Sequence, residues 1–244
     1  MSRTKRAKIS IIFKFAIFIM AFAGIIGCLI NKSGFMGGAS VLLKYFTNQS
    51  NIWIALLEFV LAFCLISSLK KEKYELNRLA YVLQLVFTVS ITLTGLIFCF
   101  VLFPAIIFTA GDGVASILSS WQQILLHVFV PIFSIIDLLV FTRPMKFNYK
   151  PFDFLYAAIP PIYYLIFQII GYNLNWDFGG GVNYPYFFMN WASPAGLFGF
   201  SDQMPYFMGN GYWIIVIVII VLGFSLLYSR TVNKLIIKNR EKLI

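Results

Sequence analysis

Charge is scarce in this chain: 11% of its 244 residues are charged, against 60% hydrophobic. Soluble domains carry about 25% charged residues, so the composition excludes that class and indicates an integral membrane protein. Histidine occurs once, at His127, and one imidazole cannot form a usual zinc set. The three cysteines, Cys28, Cys64 and Cys99, all lie in apolar runs. They support neither a disulfide framework nor a metal site. A phosphate-cradling loop is also missing, because GGGVN (Gly179 to Asn183) lacks the strand–helix context and reads as a flexible bend. No metal, nucleotide or redox cofactor is implied. No sequence repeat stands out, so an inverted-repeat transporter has no direct support.

Positive charge is the exception to this scarcity, with a formal net charge of +10. Its distribution argues against a nucleic-acid partner. Basic residues gather at Arg3, Lys5, Arg6 and Lys8; at Lys70, Lys71, Lys73 and Arg78; at Arg143, Lys146 and Lys150; and at Arg230, Lys234, Lys238, Arg240 and Lys242. None occurs between Lys150 and Arg230; Lys32 and Lys44 sit in the intervening loops, and Lys14 lies inside the first span. That alternation is the positive-inside pattern.

Apolar runs of the roughly 20 residues that a span needs occupy Ile9–Ile30, Leu42–Leu69, Leu79–Phe103, Trp121–Phe141, Phe152–Gly171 and Tyr206–Tyr228. Backbone groups in lipid must be satisfied internally, so the spans are expected as helices. The predicted architecture is an all-α integral membrane protein: one six-helix domain over residues 1–244, both termini cytoplasmic, in a bacterial plasma membrane. The start of the first span resembles a signal peptide, with an A-x-A-like pattern at Ala21 to Ala23. Its apolar run continues to Ile30 without a polar cleavage region, so a retained helix is expected. The basic tail, 229–244, is expected to prolong the last helix along the anionic inner leaflet. The outer loop 172–205 is long and aromatic (YNLNWDFGGGVNYPYFFMNW). It suits either a cap lying on the bundle or an aromatic belt at the headgroups.

Polar residues within the spans carry the functional signal, because ionisable groups at membrane depth are costly. The second span opens with YFTNQSN, Tyr45 to Asn51, and places Thr47, Asn51, Ile54 and Glu58 on one side at helical spacing. In the fourth span Gln123, His127, Pro131 and Ser134 share a face with Asp137 at its edge; the third adds Gln84, Thr88 and Thr92. These stripes are expected to turn inward. At about 1.5 Å per residue, Thr47 lies about 7 Å below Leu42 and His127 about 9 Å below Trp121. The two sit at similar depth on the outer side. Glu58 and Asp137 lie about 15 Å further in, where basic loop residues are their expected partners. A hydroxyl beside a histidine can act as an activated nucleophile, with Asn48, Asn51 and Gln123 as candidate oxyanion donors. The bland alternatives are a threonine bonded to its own backbone and a histidine packed as interhelical glue.

YFTNQSN, the HVFVP run from His127 to Pro131, Asp137, PIYYLIFQIIG (Pro161 to Gly171) and YPYFF (Tyr184 to Phe188) occur in this order. The combination resembles the androgen-induced membrane protein family and its bacterial six-span relatives, over roughly Tyr45 to Trp191. The resemblance implies hydrolysis of fatty-acid esters of hydroxy fatty acids, with a membrane threonine as nucleophile and a histidine as its partner. Those roles fall on Thr47 and His127, with Tyr184 and Tyr186 as further candidates for substrate contact. The chain departs from the family pattern at Met189, and at Asn190, which lacks a carboxylate.

The expected function is therefore a membrane hydrolase of long-chain acyl esters, with lipid as its substrate and oligomeric state left open. The rival is a small transporter, channel or lipid-binding receptor whose polar interior, including Glu58, Thr88, Ser134 and Asp137, forms a pathway with His127.

Overall fold

A computed structural model describes residues 3–30, 39–70, 76–110, 120–142, 148–179 and 181–241. Lys32, Lys71, Lys73, Arg143, Lys146 and Lys242 lie outside them. Six helices are long and apolar enough to cross a membrane. They are α1 (Arg3–Ile30), α2 (Phe46–Lys70), α3 (Arg78–Thr109), α4 (Trp121–Phe141), α5 (Asp153–Asn173) and α6 (Asn210–Glu241). Among the described residues the only sheet-like pairing is an isolated bridge between Phe200 and Met208.

Several boundaries differ from those read in the sequence, α1 beginning at Arg3 and α2 at Phe46. Helix α3 does not stop at Phe103 but runs through Pro104 to Thr109. Its turn Phe98–Leu102 is a π-helix, in which the Phe103 N–H reaches back five residues to the Phe98 carbonyl. Pro104 then enters at the start of a fresh α segment, where its missing N–H costs nothing. Helix α5 opens with a 3₁₀ stretch, Asp153–Ala158, and becomes α-helical at Ile159, with Pro160 and Pro161 in its first turn. Helix α6 starts at Asn210, not Tyr206. The residues before it are used in loop closure, Ser201 N–H donating to the Phe207 carbonyl and Gly209 N–H to the Gly199 carbonyl. At its other end α6 continues past Tyr228 to Glu241, the basic tail prolonging the helix.

Cross-links between helices fix which ends lie together. Ser10 Oγ is 3.3 Å from Thr142 Oγ1, and Arg78 pairs with Asp153 at 2.5 Å. Tyr149 N–H donates to Asn233 Oδ1 at 2.9 Å. These contacts gather the starts of α1, α3 and α5 with the ends of α4 and α6 at one end of the bundle, here called the basic end.

The opposite end is covered by the aromatic loop. Lys44 Nζ donates to the Asp177 carbonyl at 2.7 Å, and the Tyr45 hydroxyl donates to the Phe178 carbonyl at 2.6 Å. Trp191 Nε1 donates to Gln168 Oε1 at 2.8 Å. Phe178 is fully buried beneath this cap. Its tight turn needs Gly179 and Gly181 at φ 117° and 78°, which side chains disfavour. The Asp177 carboxylate accepts both glycine N–H groups.

Glycine also sets how closely helices approach. A β-carbon at Gly24 would stand 2.7 Å from the Leu126 side chain, and one at Gly27 2.5 Å from the Trp121 ring. Small residues at such crossings let two membrane helices pack backbone to backbone, which brings α1 against α4.

Candidate functional site

A cavity of about 450 Å³ lies under the aromatic cap, lined in part by Tyr45, Thr47, Gln123, His127, Tyr184 and Tyr186. The structure thus brings together, from α2, α4 and the loop, five of the residues singled out in the sequence; Tyr45 is an addition. Tyr206 also lines it and shares a 2.8 Å hydrogen bond with the Tyr184 hydroxyl. Burial and that bond push the Tyr184 phenol up to about 12, so it stays a donor at neutral pH.

His127 is 4% exposed and occupies the centre of a π-helical turn, Leu125–Phe129. Pro131 accounts for the widening, because its ring carries no N–H for the His127 carbonyl four residues back. Instead Val130 N–H reaches Leu125 O, five residues back. The imidazole Nδ1 sits 2.9 Å from the Gln123 carbonyl. A carbonyl can only accept, so Nδ1 carries the proton and Nε2 of the neutral ring is the bare, basic nitrogen. Nε2 has no hydrogen-bond partner among the described residues. The ring stacks on Phe98 at 3.7 Å and 15°. Packing and the Gln123 bond together fix its orientation and tautomer.

Thr47 approaches from the first turn of α2 and is 5% exposed. Its Oγ1 is 3.4 Å from the Tyr186 hydroxyl, which also accepts the Thr47 backbone N–H at 3.3 Å. It makes no bond to a backbone carbonyl, and none to His127, among the described residues. Thr47 and Tyr186 also line a second, small crevice of about 90 Å³ with Phe46, Leu93, Tyr164 and Ile217. The hydroxyl therefore stands where the larger cavity meets a small apolar crevice.

Asn48 and Asn51 do not reach the cavity wall. Asn48 Nδ2 donates to the Leu42 carbonyl at 2.8 Å. Asn51 Nδ2 donates to the carbonyls of Thr47 and Leu126, at 2.8 and 3.3 Å. The second bond has a local cause. The Leu126 carbonyl would ordinarily receive Val130 N–H, which the π-turn diverts to Leu125, and the next residue along is Pro131. Asn51 supplies the missing donor and ties α2 to the turn that holds His127. Gln123 lines the cavity and its Nε2 lies 3.8 Å from Cys28 Sγ.

The partners expected for Glu58 and Asp137 are corrected by the structure. Lys14 of α1, not a basic loop residue, lies between them, with Nζ 2.6 Å from Glu58 Oε2 and 2.6 Å from Asp137 Oδ2. All three are fully buried. Lys14 stood in the sequence as a lone charge in an apolar helix; the signal was available, since such a charge needs a counter-ion. Gln84, Ser10 and Thr142 complete the cluster. Thr88 and Ser134, also fully buried, extend the polar stripes beyond it; Ser134 Oγ bonds to the Val130 carbonyl.

An apolar layer separates the two polar regions. Ile17, Ala21, Ile54, Ala55, Ile91 and Val130 form one buried cluster. In helical position Ile17 and Ala21 follow Lys14, Ile54 falls between Asn51 and Glu58, and Val130 between His127 and Ser134. Glu58 and Asp137 thus neither orient nor charge-pair with His127.

No family model matches this chain, and no curated protein or solved structure is significantly similar to it. No group of three or more metal-ligating side chains occurs among the described residues. The arrangement offers a hydroxyl, an oriented imidazole with a basic nitrogen and phenolic donors around one cavity. That set is suited to acyl or proton transfer without a metal.

Proposed function

We propose that this protein is a membrane-embedded hydrolase of long-chain fatty-acyl esters, such as fatty-acid esters of hydroxy fatty acids. It acts from a bacterial plasma membrane with the basic end in the cytoplasm. One observation carries the reading: Thr47 and His127, from different helices, line one cavity in which His127 Nε2 is left as an open acceptor. The apolar crevice beside Thr47 supports an acyl substrate, with its ester carbonyl at the border between crevice and cavity.

In the proposed reaction His127 Nε2 takes the Thr47 proton, directly or through one water in the cavity. Thr47 Oγ1 attacks the ester carbonyl, and the C–O bond to the alcohol breaks. The imidazolium returns its proton to the departing alkoxide, leaving an acyl-threonine. A water deprotonated by His127 then attacks that acyl group, the bond from the acyl carbon to Oγ1 breaks, and the imidazolium returns its proton to Thr47 as the fatty acid leaves. Tyr186, in hydrogen-bond range of Thr47, and the Tyr184–Tyr206 pair are the phenolic donors placed to stabilise the carbonyl oxygen as it gains charge.

The test is ester turnover and covalent labelling by a fluorophosphonate probe on purified protein. Labelling should occur at Thr47 and vanish in Thr47→Ala. Turnover and labelling that survive in Thr47→Ala would refute the proposal, as would their absence from the wild type across a panel of acyl esters.

A further inference from the structure

We infer that the Lys14–Glu58–Asp137 cluster is a proton-binding site, in which Glu58 is a neutral carboxylic acid at neutral pH. Three observations carry this. First, the cluster holds one ammonium against two carboxyls, all fully buried. With every group ionised it would hold an excess negative charge between helices, which a dry interior strongly disfavours. One proton makes it neutral.

Second, the hydrogen bonds divide unequally between the two acids. Ser10 donates to Asp137 Oδ1 at 2.7 Å, while Lys14, Gln84 and Thr142 reach Oδ2 at 2.6, 2.9 and 3.0 Å. Glu58 receives only Lys14 at 2.6 Å and Gln84 at 3.0 Å among the described residues. Donors aimed at a carboxylate favour its charged form, so the proton falls to the less well supplied Glu58. Third, Gln84 Oε1 is fully buried with no partner among the described residues. The cluster is thus short of one donor.

Among the described residues no other charge contacts the cluster. Arg78 at the same end is committed to Asp153 at 2.5 Å, and the α6 phenol of Tyr228 lies 3.3 Å from Thr92 Oγ1. The apolar layer of Ile17, Ile54, Ile91 and Val130 closes the side facing His127. Ser10 and Thr142 lie on the other side, and Thr142, at 8% exposed, is the least buried member. The proton therefore exchanges with the basic end of the bundle alone.

Infrared spectroscopy of the purified protein in detergent at neutral pH tests the assignment. The wild type should show a protonated-carboxyl stretch that shifts when glutamate is isotopically labelled. That band should be lost in Glu58→Gln. It should also be lost in Asp137→Asn, where Glu58 becomes the sole counter-ion of Lys14. Glu58→Gln, which mimics the neutral acid, should melt within a few degrees of the wild type, whereas Asp137→Asn should melt markedly lower. A wild type without the band, a band insensitive to glutamate labelling, or one that persists in Glu58→Gln would overturn the assignment. So would a wild type without the band whose melting temperature rises with added sodium, which would make the occupant a metal cation. The labelling result needs no variant, so a misfolded mutant does not rescue the claim.

Discussion

Gly95 of α3 lies against the backbone of His127: a β-carbon there would stand 2.7 Å from the His127 carbonyl oxygen. That oxygen belongs to the π-turn and is fixed in backbone, so it cannot swing aside as a flexible side chain would. Gly95→Ala should force α3 and α4 apart and cost about 1–3 kcal/mol, the range for overpacking a tight interior. Thermal denaturation should show the loss, and turnover should fall further than stability alone accounts for, because the imidazole moves with its helix. A variant with wild-type melting and turnover would show that the two backbones do not meet.

Asn51→Ala removes the donor that satisfies the Leu126 carbonyl. A buried carbonyl left without a partner costs about 1–3 kcal/mol. The lost tie lies beside His127, so Asn51→Ala should lower both melting temperature and turnover. Asn48→Ala, whose bond is to the Leu42 carbonyl before α2, should affect turnover mainly through stability. Turnover normalised to folded protein separates the two.

His127→Gln should reduce ester turnover by about 10²–10⁴-fold, the usual contribution of a positioned acid–base group. Thr47→Ser, which keeps a hydroxyl, should retain measurable activity where Thr47→Ala does not. The imidazole must be neutral to accept a proton, so wild-type turnover should rise with pH and be lost on acidification. Turnover that survives unchanged in His127→Gln would assign His127 to packing alone.

Tyr184 provides a separate pH signature. Its proton is held to about 12 in the folded chain, against an ordinary value of 10.0, through burial and the Tyr206 hydroxyl. Between those values the unfolded chain has released a proton that the folded chain keeps, so stability falls as pH rises through that window. Tyr184→Phe should flatten this decline and leave stability near neutral pH nearly unchanged, as denaturation across the alkaline range would show.

The six apolar spans were readable because length and hydropathy depend only on local composition. Depth arithmetic also placed Thr47 and His127 near one level, and they share a cavity wall. What sequence spacing could not reveal was set by pairing across helices. Lys14 looked isolated until α1 was packed against α2 and α4, so the partners of Glu58 and Asp137 were sought in loops. Asn51 read as a catalytic donor because the orphaned Leu126 carbonyl exists only once Pro131 has widened its turn. Pro104 read as a helix end for a related reason, since a π-turn can admit a proline that a regular α-helix would not.

The layer of Ile17, Ala21, Ile54, Ala55, Ile91 and Val130 has an electrical consequence. In an energised membrane the voltage falls most steeply across the driest stretch of a protein, and about 2.3 kcal/mol per 100 mV acts on a full charge crossing it. Chemistry confined to the chamber above this insulator moves no charge through that drop, so ester cleavage should run at the same speed in polarised and depolarised vesicles.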